Sequence, residues 1–309
     1  MKKLLFGLLA VSASFALAGC GKSNFVVKDN VLTKVNNKKI KEAKIPEGVE
    51  AIGSGAFIEC EKLEKVEFPE SLKTIKSAAF KNCKALTSLT LSNGVTSIED
   101  NAFNGCSALE TVKFSNSLTT IGDYAFYDCE SIGKIEIPEG VTKVGNFAFC
   151  HCYVATTLTL PSTLTEIGES AFYSLSITKL VIPASVTKIG AEAFDGCDDI
   201  EYVDIKANIT TIKKGTFLGC LKLKSVVIPV SVTKIEEKAF YFCRNIENIF
   251  YGGNSIDWSN MTIEDDNDYI LPNLKANYSE EEPSGNGYFY WHYNSEGIAV
   301  RWADSVSYN

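Results

Sequence analysis

Histidine is scarce in this chain, and the motifs that commonly signal catalysis are missing from it. The 309 residues include two histidines, His151 and His292, and neither lies in a recognisable Ser/His/Asp or Cys/His pattern. No GxxxxGKS or GxxxxGKT stretch is present to cradle a phosphate. The acidic stretch EDDND, residues 264–268, lacks the spacing and central glycine of a calcium loop and is typical of a solvated loop. The sequence therefore disfavours an enzyme and predicts no catalytic residue, metal site or cofactor.

An excess of positive charge is also lacking. The chain has 30 Lys and Arg residues against 38 Asp and Glu residues. Removal of residues 1–19 takes away two lysines, which leaves 28 − 38 = −10. An acidic surface argues against nucleic acid as a partner.

Long apolar runs are confined to the first twenty residues. Lys2 and Lys3 precede the run LLFGLLAVSASFA, which ends in Leu17-Ala18-Gly19-Cys20. A charged start, a short apolar middle and small residues at the end predict a secretory signal over residues 1–19. The apolar run is shorter than the roughly 20 residues that a transmembrane helix needs.

Leu17-Ala18-Gly19-Cys20 resembles the bacterial lipobox, which implies cleavage before Cys20 and attachment of lipid to it. A conventional signal cleaved nearby is the alternative. Because two or more acyl chains hold a protein durably in a bilayer, the resemblance predicts a lipid-anchored protein of the bacterial envelope, extracytoplasmic or at the cell surface.

Phenylalanine recurs with a fixed period, which is the mark of a repeat architecture. The steps are of 23 residues except for one of 22, and an apolar residue stands eight and five positions before each phenylalanine. The nine positions are Phe57, Phe80, Phe103, Phe126, Phe149, Phe172, Phe194, Phe217 and Phe240.

An LxxVxI pattern follows each phenylalanine, as at Leu63, Val66 and Phe68, and proline often comes next. Alternation of apolar and polar residues predicts a short strand with one buried face. Stacked coils would join these strands into a parallel sheet, with one short strand and short helical turns in each coil. The sequence thus predicts a mostly β solenoid of nine coils over residues 45–251, about 43 Å long at about 4.8 Å per coil.

Cysteine follows the repeat phenylalanine by three positions in eight coils, and Leu175 takes that place in the ninth. Leucine there indicates that the position needs a compact apolar group, and a free cysteine behaves as one. We therefore expect columns of buried thiols, with disulfides between neighbouring coils as the alternative. Cys150-His151-Cys152 lacks the four convergent ligands of a zinc site, and Cys150 is interpreted as a chance cysteine in a repeat loop.

Residues 45–251 resemble the BspA-like class of leucine-rich repeats, which has a 23-residue consensus LxxIxIPxxVxxIGxxAFxxCxx. The resemblance implies a scaffold for protein–protein recognition, with adhesion to host or extracellular-matrix proteins as the expected role. An envelope scaffold that binds a bacterial partner and a carbohydrate-binding module or hydrolase are the alternatives. The repeats depart from commoner leucine-rich repeats because Gly or Ser, as in Pro46-Glu47-Gly48, stands where a ladder of Asn usually follows the strand.

Outward-facing strand residues become apolar toward the C-terminal end, and exposed apolar patches often mark partner sites. The candidate binding residues are Val181, Tyr202, Asp204, Val227 and Phe250. An end cap folded over them is an equally good interpretation. A second aromatic group is expected to shield the outer wall, with ligand binding as its alternative, and consists of Tyr124, Tyr127, Phe147 and Tyr173.

Both ends of an open stack need caps. Two short apolar runs around Asp29-Asn30 predict a hairpin within a lipidated tether and N-terminal cap over residues 20–44. Aromatic and apolar runs on either side of the turn-rich residues 294–297 predict a hairpin within a C-terminal cap over residues 252–309.

Overall fold

The computed structural model of the chain describes residues 24–275, 277–281 and 290–302. The predicted signal, residues 1–19, and the predicted lipidation site Cys20 lie outside these residues. The described residues begin with an antiparallel hairpin of β1 (Phe25–Lys28) and β2 (Val31–Val35), whose turn residues Asp29 and Asn30 both have positive φ.

Every turn of the solenoid contributes a strand to each of two parallel layers. The strands that carry the LxxVxI residues form the front layer: β3 (Glu42–Lys44), β5 (Lys65–Glu67), β7 (Ser88–Thr90), β9 (Thr111–Lys113), β11 (Lys134–Glu136), β13 (Thr157–Thr159), β15 (Lys179–Ile182), β17 (Tyr202–Ile205), β19 (Ser225–Ile228), β21 (Asn248–Tyr251) and β23 (Leu274–Lys275).

Two-residue strands around the isoleucine five positions before each phenylalanine form the flank layer with β2. They are β4 (Ala51–Ile52), β6 (Thr74–Ile75), β8 (Ser97–Ile98), β10 (Thr120–Ile121), β12 (Lys143–Val144), β14 (Glu166–Ile167), β16 (Lys188–Ile189), β18 (Thr211–Ile212), β20 (Lys234–Ile235) and β22 (Thr262–Ile263). Strands β1 to β16 of this layer make one nine-stranded sheet, and β18, β20 and β22 make a second sheet.

The structure confirms the parallel, mostly β solenoid and adds a second strand to each coil. It also has eleven turns rather than nine, because β2–β3 and β22–β23 add a turn at each end. The last turn lies within residues 252–275, which the sequence assigned to the cap. It was missed because it has neither the phenylalanine nor the cysteine of the repeat. A helix α1 (Ser255–Ser259) and a 3-10 helix (Leu271–Asn273) interrupt this end.

The nine repeat phenylalanines form one continuous column in the core. Each is fully buried, and neighbouring ring centroids lie 4.7 to 5.7 Å apart with interplanar angles of 2 to 18°. The predicted aromatic column is therefore confirmed. Offset stacking of this kind adds to the burial of the rings.

The repeat cysteines form a second column, as predicted. All nine cysteines in the described part of the chain are free and buried. In seven coils the thiol donates a hydrogen bond to the carbonyl of the phenylalanine in the preceding coil, at 3.0 to 3.5 Å. Burial raises the pKa of Cys197 to about 12, so this thiol is protonated and unreactive.

Left-handed backbone occurs at two fixed positions of all nine coils, two residues before and two residues after the repeat phenylalanine. The N–H groups of the left-handed residues and of the phenylalanine between them point at the next coil, as where Phe57 N donates to Ala79 O at 2.8 Å. A third line of hydrogen bonds between coils therefore runs along this edge, which we call the turn face.

An Asp/Asn ladder links the coils where the flank strands end. Asp100 Oδ1 accepts from Asp123 N at 2.9 Å, and Asp123 Oδ1 accepts from Asn146 N at 2.8 Å. Asn146 Oδ1 continues the ladder to Glu169 N at 2.9 Å. The side-chain ladder missing after the front strands is thus present at a different corner.

Candidate functional site

The outward-facing positions of the front layer divide into an open and a covered part. The open part is exposed and consists of Glu67, Thr90, Lys113, Glu136, Thr159 and Val181. The three following positions, Asp204, Val227 and Phe250, retain only 1, 3 and 2% of their exposure. The structure therefore decides between the two interpretations of the C-terminal patch, because these residues are covered.

The cover is the antiparallel hairpin of β24 (Trp291–Tyr293) and β25 (Ala299–Arg301). Its Trp291 packs on Phe250 with ring centroids 5.6 Å apart, and its indole Nε1 donates to Tyr251 O at 2.9 Å. Val227, Phe250, Trp291 and Ala299 form a small apolar core of their own. The hairpin predicted from the sequence is present, and it docks on the front layer of the solenoid.

Polar contacts hold the edge of this hairpin. Tyr293 Oη donates to Asp204 Oδ1 at 3.1 Å, and Ala299 N donates to Tyr202 Oη at 3.1 Å. Asp204 Oδ2 has no hydrogen-bond partner, and Lys206 Nζ lies 3.7 Å from it. Burial is the main reason why the pKa of the Asp204 carboxyl is raised. Among the candidate binding residues, Val181 is the one that remains exposed, at 39%.

The turn face carries a half-buried aromatic group of which Tyr153 is the exposed member. We call it the His151 cluster: Tyr127, Asp128, His151, Tyr153 and Tyr173. The imidazole lies with its ring centroid 5.2 Å from Tyr127, 5.2 Å from Tyr153 and 5.5 Å from Tyr173. His151 Nδ1 lies 2.7 Å from Asp128 Oδ1. Tyr153 is 45% exposed, so the cluster presents aromatic surface to solvent.

The repeat explains how these residues meet. Asp128 and His151 each stand two positions after a repeat phenylalanine, in left-handed backbone, in neighbouring coils. Tyr127 and Tyr173 each stand one position after a repeat phenylalanine. A second pair, Tyr124 and Phe147, stacks beside the cluster with centroids 4.8 Å apart.

An open groove of about 570 Å³ continues from the cluster along the turn face. Tyr153, Leu221, Asp198, Asp199 and Lys222 are among the residues that line it, and Leu221 is 46% exposed. Asp199 and Lys222 form an ion pair at 2.7 Å. The groove is amphipathic, with apolar and charged side chains alternating between coils.

Metal ligands do not come together in the described part of the chain. No group of three or more His, Cys, Asp or Glu residues there could hold a metal ion. Burial raises the pKa of Cys150 to about 12, so its thiol is not a nucleophile although it neighbours His151 in sequence. No helix of the described residues is long and apolar enough to cross a bilayer.

Sequence reasoning named Tyr124, Tyr127, Phe147 and Tyr173 but missed the centre of the cluster. The spacing of 23 residues between Asp128 and His151 was the available signal, because residues one period apart become neighbours in a solenoid. Tyr153 had no such signal, since it has no aromatic counterpart one period away.

A family model described as a BspA type leucine-rich repeat region matches residues 33–155 and 119–247. The crystal structure of a leucine-rich repeat protein from Bacteroides ovatus is 24% identical, with a TM-score of 0.54, and the match covers 82% of this chain and 81% of that chain.

Two further crystal structures match less closely. A leucine-rich cell surface protein from Faecalibacterium prausnitzii is 22% identical over 77% of this chain and 95% of that chain, with a TM-score of 0.41. The pneumococcal vaccine antigen PcpA is 20% identical over 77% of this chain and 66% of that chain, with a TM-score of 0.47. No curated protein sequence matches the chain.

Proposed function

The chain belongs to the BspA-type leucine-rich repeat family, and on that premise we propose that it is a lipid-anchored bacterial surface protein that binds other proteins. The leucine-rich repeat fold suits protein–protein interaction, because stacked coils present a long, rigid face. We propose adhesion to host or extracellular-matrix proteins as the role, with anchoring to the membrane through lipid on Cys20.

The observation that carries the proposal is the His151 cluster, in which exposed Tyr153 stacks on half-buried His151. Aromatic residues that combine an apolar ring with a polar group are enriched in protein interfaces, and they lose little conformational freedom when they bind. The rings of Tyr127, His151 and Tyr173 are held against one another before any partner arrives. Prior ordering of this kind reduces the entropy lost on association.

The groove extends this surface over three further coils. Exposed Leu221 offers an apolar contact, while Asp198 and Asp199 offer acceptors for basic or amide groups. A partner that lies along the groove would therefore meet apolar and acidic side chains in turn. Val181, in the open part of the front layer, remains a proposed second contact.

Capture of matrix proteins by the predicted mature chain tests the proposal. The chain without residues 1–19 and with Cys20→Ser is immobilised and offered collagen, laminin and fibronectin. Tyr153→Ala and Tyr127→Ala are expected to weaken capture of the bound protein by about tenfold or more, as central aromatic contacts do.

Tyr241→Ala is the matched control, because Tyr241 also stands one residue after a repeat phenylalanine but lies five coils from Tyr127. Equal losses in Tyr127→Ala and Tyr241→Ala would contradict a specific role for the cluster. Capture of bacterial envelope proteins or of glycans in place of all three matrix proteins would instead favour the envelope scaffold or the carbohydrate-binding module.

The anchor is tested separately by growth with a fatty acid that carries an alkyne tag. Label on the wild-type chain and its loss in Cys20→Ser are the expected results. Label that persists in Cys20→Ser would contradict lipidation at this cysteine.

A further inference from the structure

Charge is distributed very unevenly along the chain. Residues 22–44 contain seven lysines against Asp29 and Glu42, a net charge of 7 − 2 = +5. Residues 45–309 contain 21 Lys and Arg residues against 36 Asp and Glu residues, a net charge of 21 − 36 = −15. An acidic protein thus has one basic segment, and that segment directly follows Cys20.

The fold keeps this segment together at one end of the solenoid. β1 is the edge strand of the flank layer, and β3 is the first strand of the front layer. Because the coils stack in chain order, residues 25–44 form the N-terminal end of the stack. They are the first coil of the stack among the described residues.

Two of the six described lysines at this end form ion pairs with the next turn. Lys38 and Lys41 pair with Glu59 and Glu64 of the next turn, at 3.3 and 2.9 Å. Four exposed lysines form no ion pair among the described residues: Lys28, Lys34, Lys39 and Lys44. We call these four residues the basic end.

Two exposed apolar residues, Val26 and Val27, lie beside Lys28 on the edge strand β1. Their exposed fractions are 41 and 45%. Apolar side chains beside lysines suit the boundary between headgroups and acyl chains, where lysine stems lie along apolar surface and keep their charge in water.

We propose that the basic end is a docking surface for anionic phospholipid headgroups. It adds an electrostatic contact to the lipid on Cys20 and fixes the direction in which the solenoid leaves the membrane. That orientation rests on the proposed anchor, whereas the attraction to anionic lipid does not. Basic segments next to a membrane anchor are attracted to anionic lipid within about one Debye length of the surface.

The acidic remainder of the chain, residues 45–309, is repelled by an anionic membrane. Screening limits its repulsion from the membrane to roughly 10 Å, the length of about two coils. Attraction at one end together with repulsion of the next coils would hold the solenoid away from the bilayer. The His151 cluster lies about five coils from the basic end and would therefore stay accessible.

Vesicle binding by the lipid-free chain tests the attraction without the anchor. The predicted mature chain with Cys20→Ser is sedimented with phosphatidylglycerol-containing vesicles and with phosphatidylcholine vesicles. We expect association with the anionic vesicles alone, and we expect added salt to abolish it.

Two matched double variants locate the surface. Lys34→Gln with Lys39→Gln removes two charges from the basic end, and we expect binding to weaken about tenfold or more. Lys113→Gln with Lys134→Gln removes two exposed lysines from the middle coils and should leave binding nearly unchanged. Circular dichroism of all variants confirms that each is folded.

Three results of the vesicle experiments would overturn the proposal. They are equal losses of vesicle binding in the two double variants, association with neutral vesicles as strong as with anionic ones, and no association with anionic vesicles in low salt. Preference for a soluble polyanion such as duplex DNA over the vesicles would likewise reject a membrane role. None of these results bears on matrix-protein capture, so failure here and failure of the proposed function are distinguishable.

Discussion

Single residues in this solenoid adopt backbone conformations that most amino acids avoid. Eighteen positions flank the nine repeat phenylalanines in left-handed backbone, and five of them are glycine. A left-handed residue other than glycine costs roughly 1–2 kcal/mol. The conformation persists because it aims N–H groups at the next coil, as where Asn82 N donates to Asn104 O at 2.8 Å.

Replacement of Ala78 by glycine is expected to stabilise the protein. Ala78 has a φ of 55° and is half-buried. Its replacement by glycine removes only one methyl group. We expect Ala78→Gly to raise the free energy of unfolding by about 1 kcal/mol, measured by urea denaturation. Ala79→Gly is the control, because Ala79 is buried without a positive φ and should be destabilised by glycine. Destabilisation by both changes would show that backbone strain is negligible here.

The buried thiols give a second test at the residue scale. In the Cys20→Ser mature chain, alkylation in denaturant should add nine groups, one for each free cysteine, as read by mass spectrometry. Native protein should react far more slowly, because burial of all nine thiols excludes the reagent. Fewer than nine groups in denaturant without reductant would mean that some thiols are joined in disulfides.

The C-terminal hairpin is the element that most changes what the solenoid exposes. It places Trp291 over Phe250 and Tyr293 beside Asp204, in a core separate from the main one. An isolated two-stranded hairpin is marginally stable in water, so this element depends on its docking. The docked hairpin also closes part of the front layer, which leaves the N-terminal two thirds of that layer open.

The docking should depend on pH through Asp204. Burial raises the pKa of the Asp204 carboxyl, so the ionised carboxylate opposes docking. The stabilisation that the protonated carboxyl gives to the docked hairpin is therefore lost as pH rises through the raised pKa. Asp204→Asn keeps an acceptor for Tyr293 without the buried charge. We therefore expect this variant to protect the hairpin from proteolysis better than the wild type at neutral pH, with the difference vanishing in acid.

Glu136→Gln serves as the control for this experiment, because Glu136 occupies the same outward-facing position on an open coil. It should leave the pH dependence of hairpin protection unchanged. A wild-type hairpin that becomes more protected as pH rises would contradict the assigned role of burial.

The whole molecule is a stack whose stability depends on its ends. Its last repeat phenylalanine, Phe240, has no phenylalanine-bearing coil beyond it, and Asn267 of the last turn supplies the contacts that such a coil would make. Asn267 Oδ1 accepts from Phe240 N at 3.0 Å, while its Nδ2 donates to Glu236 O and Glu264 O at 2.9 Å. One buried amide side chain of the last turn thus takes the place of the backbone groups that a phenylalanine-bearing coil would supply.

Asn267→Ala should open the C-terminal end of the stack. Loss of these bonds leaves buried groups of the last coil unpaired, at about 1–3 kcal/mol for each. Hydrogen exchange should become faster in residues 236–246 and remain unchanged near Phe57. Asn116→Ala, at an exposed position, should have no such effect. Uniform acceleration along the chain would indicate a global loss of stability instead of fraying.

The repeat made much of the architecture predictable. Phe57 and Cys60 recur at fixed spacing, so their columns, the family and the parallel stacking could be predicted from the sequence alone. The second strand in each coil was not predicted, because two residues such as Ala51 and Ile52 are too few to show alternation. The terminal turn at residues 262–275 was missed because Asn267 has no resemblance to the repeat residue that it replaces.

The sequence by itself determined the period, the interior columns and the charge contrast between residues 22–44 and the rest, because each is a property of spacing or composition. Only the tertiary structure decided that Phe250 is covered by Trp291 and that His151 packs on Tyr153. The physical reason is that these contacts join residues whose side chains are brought together by docking of the hairpin or by the curvature of a turn. Neither is encoded in a periodic pattern of apolar residues.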